Sequence, residues 1–234
     1  MLRTLREQVS PVEGDGETHF NAEQNALVAK NAEHYYRTMV RGDSASWNVR
    51  DRHMVDTLNR LVKHHGPNAK AIVWAHNTHI GDARYTDMAS DGMVNVGQLV
   101  RQQHAAEGVV LIGFSSYRGT VIAAEQWGDP MRVMPVPVGR PGSWEQILHQ
   151  SCAGDSLVIF DPNKTDGLLL EPRGHRAIGV VYRPQYEAFG NYVPTIMPRR
   201  YDALAFVDET QAVHPLHITA KFDQEVPETY PTGV

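Results

Sequence analysis

Two histidines, His76 and His79, stand three positions apart directly after a short apolar run of the sequence. An imidazole whose pKa is near neutrality can take a proton from water or return one to a leaving group, and a second imidazole can stabilise the charge that develops. The pair therefore suits hydrolysis by attack of water. The alternative is that both are polar loop residues hydrogen-bonded to backbone, because two histidines in a loop are a weak motif.

A metal site is a second alternative for this segment, because His76, His79 and Asp82 match the composition of a two-histidine, one-carboxylate centre. Their spacing matches no zinc motif of high specificity, so we predict a site without a metal or cofactor. The single cysteine, Cys152, excludes an intramolecular disulfide and a multi-cysteine zinc site. Because such cysteine usage fits a reducing compartment, we expect a cytoplasmic protein.

The elements around the histidines predict an α/β fold with a mostly parallel sheet flanked by helices. Residues 69–75 form a continuous apolar run, typical of a central strand buried on both faces. A helix with Val96 and Leu99 leads to a second apolar run at 109–114, which would complete a βαβ unit. His76 and His79 then lie at the carboxyl edge of the sheet, where open α/β folds bind ligands. Further strands are predicted at 119–124, 156–160, 177–182 and 204–207.

Polar residues that could contact a substrate flank this loop. Helices are predicted over 22–40 and from a cap at Ser46 to Gly66, and the first turn of the second helix offers free N–H groups to an anion. Arg118 follows the second apolar run and is a candidate contact to substrate or oxyanion. We expect the substrate-binding residues to line a concave pocket with the histidines; they are Asn48, Arg50, Asp51, Asn77 and Arg118. Helix capping and surface charge are the alternative explanation.

The composition predicts one soluble domain. The net charge is −5 and the basic residues are dispersed among 234 residues, so nucleic acid is not an expected partner. No apolar stretch approaches the roughly 20 residues that cross a bilayer, so no membrane partner is expected. We assign residues 1–20 to a flexible lead-in, 21–210 to an α/β domain and 211–234 to an irregular tail.

Three segments in this order resemble the erythromycin esterase family. They are NAEQNALVAKNAEHYYR at 21–37, WNVRDRHM at 47–54 and VWAHNTHIGD at 73–82. Residues 95–99 and 117–121 are also similar to that family, so the resemblance extends from about residue 21 to at least residue 182. The order and spacing of the segments make the resemblance specific.

The resemblance implies a hydrolase that opens a lactone or another ester by histidine-assisted attack of water, without an acyl-enzyme. The named activity of the family is opening of macrolide lactones, which links it to antibiotic resistance. His76 and His79 match the paired active-site histidines of the second half of the family fold. The implied partner is a small-molecule ester or lactone, and no cofactor is implied.

The chain departs from the family in its first half. The family's proposed general base lies in an N-terminal Gly-Glu-x-x-His-Gly segment; residues 16–19 imitate it, but Phe20 stands where glycine is expected, so we interpret the likeness as coincidental. We therefore expect a partial version of the family fold, its C-terminal half, which is inactive as an isolated fragment if that base is essential. An uncovered apolar surface would favour self-association or association with a missing N-terminal half. The alternative function is a non-catalytic module that binds a small ligand, a metal or haem.

Overall fold

The computed structural model describes residues 16–41, 45–161, 163 and 167–214. Most of the predicted lead-in (1–15) and of the predicted tail (215–234) lies outside these residues. Within them, no helix combines the length and the apolar character needed to cross a membrane.

Two long helices open the described chain. Helix α1 spans Gly16–Val40 and therefore includes residues 16–20 of the predicted lead-in. Helix α2 spans Ala45–His65, so Ser46, the predicted cap, lies inside the helix and is buried. The two helices pack together and are joined by an ion pair between Arg60 and Glu23 at 3.2 Å.

Five shorter helices follow, and one of them confirms the predicted helix with Val96 and Leu99. They are α3 (Asn77–Ile80), α4 (Val96–Gln103), α5 (Trp144–Ser151), α6 (Glu187–Gly190) and α7 (Met197–Arg200). The Asn95 side chain accepts a hydrogen bond from the backbone of Gln98 at the start of α4, and Ser143 accepts one from Gln146 at the start of α5. Each cap satisfies an N–H group that the first helical turn leaves without a partner.

The strands form two sheets, and the larger sheet corrects the predicted strand directions. The strands are β1 (Ile112–Ala123), β2 (Arg132–Val136), β3 (Ser156–Ile159), β4 (Arg173–Arg176), β5 (Tyr192–Thr195) and β6 (Ala203–Thr210). The larger sheet has the order β2-β1-β6-β3, and β4 pairs with β5 in the smaller one. Only the β1–β6 pair of the larger sheet is parallel, so the prediction of a mostly parallel sheet was wrong. Residues 124–131 alone connect β1 to β2, too few for the crossover that a parallel pair requires.

Strand β1 joins two predicted strands into one and changes partner in its middle. Residues 112–119 pair with β6, and residues 119–123 pair with β2. Gly119 stands at the change with a φ of +133°, and a Cβ atom there would overlap the backbone of Thr210. Glycine is required at this position because it alone combines that φ with so close an approach. The predictions of strands at 156–160 and 204–207 are confirmed by β3 and β6.

Two predicted strands were wrong. Residues 69–75 form no strand, and Trp74, expected to be buried, is 84% exposed. The predicted βαβ unit therefore lacks its first strand, because an apolar run becomes a buried strand only where neighbouring strands and a covering layer are present. The predicted strand at 177–182 is reduced to one isolated bridge between Val181 and Ala124.

The core lies on one face of the larger sheet, between the sheet and the helices. Leu204 and Phe206 of β6 point into it and are almost fully buried. The helices contribute Val55 from α2, Leu99 from α4 and Trp144 from α5. This layer holds α2, α3 and α4 close together, and most of the predicted site residues lie on α2 and α3 or directly before α3.

Candidate functional site

The centre of the site is a contact between His79 on α3 and Asp51 on α2. Nδ1 of His79 lies 3.0 Å from each carboxylate oxygen of Asp51, whose side chain is fully buried. The backbone N–H of Val96 donates a further hydrogen bond of 3.2 Å to the same carboxylate. Because Nδ1–H donates to Asp51, the neutral ring keeps Nε2 as an acceptor. Nothing in the described part of the chain hydrogen-bonds to Nε2, so it is free to take a proton.

Trp47, one turn before Asp51, fixes the plane of the His79 ring. The two rings stack with centroids 4.7 Å apart and an angle of 2° between their planes. The indole N–H donates to the carbonyl of Val94 at 2.9 Å, which fixes the tryptophan in turn. The Arg50 guanidinium lies 4.6 Å from the Trp47 ring centroid, and its Nε, buried and without a hydrogen-bond partner among the described residues, is 3.9 Å from Asp51.

His76 lies at the start of α3 and both of its ring nitrogens are engaged. Nδ1 lies 3.2 Å from the backbone N–H of Thr78 and 2.9 Å from its hydroxyl, so it accepts a hydrogen bond, and Nε2–H donates to the carbonyl of Ile178 at 2.9 Å. Partial burial lowers the pKa of His76; its hydrogen bond to Ile178 opposes this effect, and the positive charge of Arg200 adds to it. His76 is therefore neutral near pH 7 and acts as the cap of α3.

Asn77 ties the histidine loop to the edge of β1. Its Oδ1 accepts from the backbone N–H of Phe114 at 3.1 Å, and its Nδ2 donates to the carbonyl of the same residue at 2.6 Å. The Asn77 amide thus makes the two hydrogen bonds with the Phe114 backbone that a residue of a neighbouring strand would make. The buried guanidinium of Arg200 donates to the Asn77 carbonyl at 3.2 Å, and this hydrogen bond fixes the backbone of the loop to the interior.

Two predicted substrate contacts lie elsewhere. Asn48 donates to the carbonyl of Gly92 at 2.9 Å and accepts from Val94 at 2.7 Å, so it fastens a loop to α2. Arg118 pairs with Glu209 on the neighbouring strand at 2.9 Å and is exposed. The structure therefore brings Arg50, Asp51 and Asn77 together with the two histidines, and it engages Asn48 and Arg118 in other contacts.

The third member of the alternative metal site, Asp82, faces cations. It binds Arg84 at 2.6 Å and lies 3.4 Å from Arg101. No group of three His, Cys, Asp or Glu side chains with the geometry of a metal site occurs among the described residues.

A second histidine–carboxylate pair lies beneath the loop, and the sequence analysis did not single it out. Nδ1 of His175 on β4 lies 2.8 Å from Glu145 on α5, which also accepts from the Ser115 hydroxyl at 2.9 Å. Nε2 of His175 lies 3.4 Å from the side-chain nitrogen of Asn77, so the pair supports the loop. Glu145 resembles an ordinary acidic residue in the first turn of a capped helix, which is why its sequence context gave no signal.

The charges of this buried pair follow from its environment. Burial lowers the pKa of His175, although its hydrogen bond to Glu145 opposes this effect. Burial acts to raise the pKa of Glu145, but the hydrogen bond from His175 and that from the Arg176 backbone outweigh it, and the pKa falls. A neutral His175 therefore donates through Nδ1–H to an ionised Glu145, and its Nε2 remains an acceptor for Asn77.

His76 is exposed to solvent, whereas the His79 side chain is only 16% exposed. Two shallow concavities, of about 230 and 220 Å³, are lined by other residues, and neither includes His76 or His79. The predicted concave pocket around the histidines therefore does not coincide with either of these concavities.

Comparison with solved structures identifies chains of the same fold. A Bacillus cereus protein matches with a TM-score of 0.70 at 18% identity, over 90% of this chain and 50% of that chain. A succinoglycan biosynthesis protein matches with a TM-score of 0.64 at 18% identity, over 90% and 47% of the two chains. A histidine-to-asparagine mutant of the erythromycin esterase EreC, in its open conformation, matches with a TM-score of 0.53 at 16% identity, over 83% and 54%. The chain thus spans about half the length of these neighbours.

The family comparison agrees with these neighbours. The family model for erythromycin esterase matches residues 1–210 of the 234-residue chain. This match confirms the resemblance that the segments around His76 and His79 predicted. The chain belongs to the erythromycin esterase family.

Proposed function

We propose that this chain carries the histidine site of a hydrolase that opens an ester or lactone by attack of water. The observation that supports this most directly is the contact between His79 and the buried Asp51 carboxylate, at 3.0 Å. A carboxylate at Nδ1 holds the imidazole in the tautomer whose Nε2 can accept a proton, and it stabilises the imidazolium that results. Family membership supports the same class of reaction.

In the proposed reaction, His79 acts as general base and then as general acid. Nε2 takes a proton from a water molecule while the water oxygen adds to the ester carbonyl carbon, which gives a tetrahedral oxyanion. The bond from that carbon to the leaving oxygen then breaks, and the imidazolium returns its proton to the leaving alkoxide. The products are a carboxylic acid and an alcohol, and Asp51 stabilises the positive charge between the two steps.

His76 has a different role in this proposal because both of its nitrogens are engaged. As the cap of α3 and a donor to Ile178, it holds the one-turn helix that carries His79. We assign His76 to positioning in the resting site and His79 to proton transfer. Arg50, which lies close to Asp51 and Trp47, supplies positive charge near the developing oxyanion.

A macrolide lactone is the first substrate to test, because the family and one structural neighbour carry the name erythromycin esterase. A role in antibiotic resistance follows only if that substrate is opened. We also propose a cytoplasmic location, which suits a chain with a single free thiol.

The decisive experiment measures hydrolysis of erythromycin and of simple aryl esters by mass spectrometry and absorbance, using the chain alone and together with the complementary half of the fold. His79→Asn should lower kcat/KM by about two to four powers of ten, the usual contribution of a general base. His149→Asn is the matched control, since His149 also contacts an aspartate, Asp208, but lies outside the site. If neither form hydrolyses an ester, or if hydrolysis does not depend on His79, the proposal is wrong and the chain is a non-catalytic module that binds a ligand.

A further inference from the structure

The face of the larger sheet opposite the core carries two apolar rows that nothing in the described chain covers. The strand register aligns Phe114 of β1 and Leu157 of β3 on either side of Ala205 in β6. One step along the strands, Ile112 and Ile159 lie on either side of Ala203 in the same way. Residues in register point to the same face of a sheet. The four large side chains of these rows are exposed, whereas Leu204, between the rows, points into the core.

A segment beside this face has the sequence of a strand but lacks the hydrogen bonds of one. Within the described part of the chain, no backbone N–H or C=O of residues 70–75 forms a hydrogen bond. Ile72 is 94% exposed, and Trp74 contacts Phe114 with ring centroids 5.5 Å apart. The segment therefore extends the apolar face, which we define as Ile72, Trp74, Ile112, Phe114, Leu157 and Ile159. Unpaired backbone groups on an apolar segment favour the addition of another strand.

We propose that this apolar face binds the complementary half of the erythromycin-esterase fold, which adds a strand along residues 70–75 and covers the two rows. The identity of the occupant rests on the length of the neighbours. The chain matches over 90% of its own length but over only 50% and 47% of two neighbours, which therefore carry as much polypeptide again. Contiguous apolar patches of this kind mark interaction sites in most proteins that expose them.

This docking would also enclose the histidine site. Residue 76 follows the unpaired segment directly, and Asn77 already binds Phe114 at the border of the apolar face. A polypeptide seated on the face therefore borders His76, which is exposed to solvent in this chain. The docking does not require the proposed hydrolysis, because it follows from the apolar face and the unpaired backbone alone.

The test uses the full 234-residue chain and three separate polypeptides, each comprising the part of one structural neighbour that this chain does not cover. Sedimentation velocity should show a one-to-one complex with at least one of them. Hydrogen exchange of amides 70–75 should slow by about tenfold or more in that complex, because pairing protects backbone N–H groups. Trp74→Glu and Ile159→Glu should each abolish the complex, and circular dichroism would verify that both variants fold.

The matched control is Phe189→Glu, since Phe189 is 91% exposed on α6, which packs against the smaller sheet. This variant should bind as the unaltered chain does. A chain that stays monomeric and binds none of the three polypeptides overturns the proposal. A homo-oligomer that protects residues 70–75 and excludes all three polypeptides also overturns it, because the occupant is then a second copy. A complex that forms but hydrolyses no ester leaves the docking intact and counts against the proposed function alone.

Discussion

Asp51 and His79 are separated by 28 positions in the sequence, yet Nδ1 of the histidine lies 3.0 Å from both oxygens of the buried carboxylate. The contact joins the first turns of α2 to the single turn of α3. Hydrogen bonding to two oxygens at equal distance fixes the ring orientation as well as its tautomer.

Asp51→Asn should lower kcat by about two to four powers of ten with little change in KM, since the loss falls on proton transfer. An amide presented to Nδ1 favours the opposite tautomer, in which Nε2 carries the hydrogen and cannot accept a proton from water. Steady-state hydrolysis of an ester by the active form of the protein measures the effect. Asp208→Asn, which alters the equivalent contact to His149 at 2.6 Å, should leave both constants unchanged. Equal losses in the two variants would show a general structural effect.

Trp47→Ala should lower kcat about tenfold, because the His79 ring loses the stacking partner that limits its rotation. Trp47→Phe keeps an aromatic face and loses only the hydrogen bond to Val94, so its kcat should stay within about threefold of the original. Thermal unfolding of both variants, followed by circular dichroism, separates positioning from stability. If phenylalanine is as damaging as alanine, the hydrogen bond to Val94 is the important contact.

The free energy of unfolding should fall as the pH is lowered from about 7.5 to 5, in part because the pKa of His175 is lowered in the folded state. The unfolded chain binds a proton below the ordinary histidine value of 6.5, whereas folded His175 resists it. The stabilisation is therefore fully present above that pH and is lost as the pH falls. Each unit of lowered pKa corresponds to about 1.4 kcal/mol.

Urea titrations at several pH values would measure this slope. His175→Asn should flatten it, leaving a residual slope to which His53 and His76, whose pKa values are also lowered, contribute in the same direction and Glu187, whose pKa is raised, in the opposite direction. The titrations stop at about pH 5 so that Glu145 stays ionised. Its pKa is lowered in the folded state, so its own contribution to the free energy of unfolding is lost at lower pH. An unchanged slope in the variant would mean that His175 does not titrate differently in the folded and unfolded states.

Gly97→Ala should destabilise the fold by about 1–3 kcal/mol, the usual cost of overpacking, and reduce any activity that depends on His79. A Cβ atom at Gly97 would overlap the backbone carbonyl of Ile80, so α4 would be forced away from α3. Gly190→Ala in α6 is the control, since a Cβ atom there meets nothing within 4 Å. Urea unfolding of both variants measures the effect. If Gly97→Ala is as stable as Gly190→Ala, α4 can move away from α3 without a loss of stability.

The local features of this protein follow from short stretches of its sequence. The caps of α4 and α5 are local features, because Asn95 and Ser143 accept hydrogen bonds from backbone N–H groups only three residues away. Strands β3 and β6 could be recognised from short β-branched and aromatic runs. The ordered segments around His76 and His79 were sufficient to recognise the family, since a motif needs only residue types and spacing.

Which groups meet and which face remains uncovered depends on how distant elements pack together. The contacts of Asp51 with His79 and of Glu145 with His175 each join separate elements, and no local pattern encodes such distances. The strand predicted at 69–75 failed for the same reason: burial is a property of what packs against a segment, and Ile72 and Trp74 remain exposed among the described residues. Gly119 illustrates the converse, because its need for a φ of +133° became visible only when β1 was seen to exchange β6 for β2.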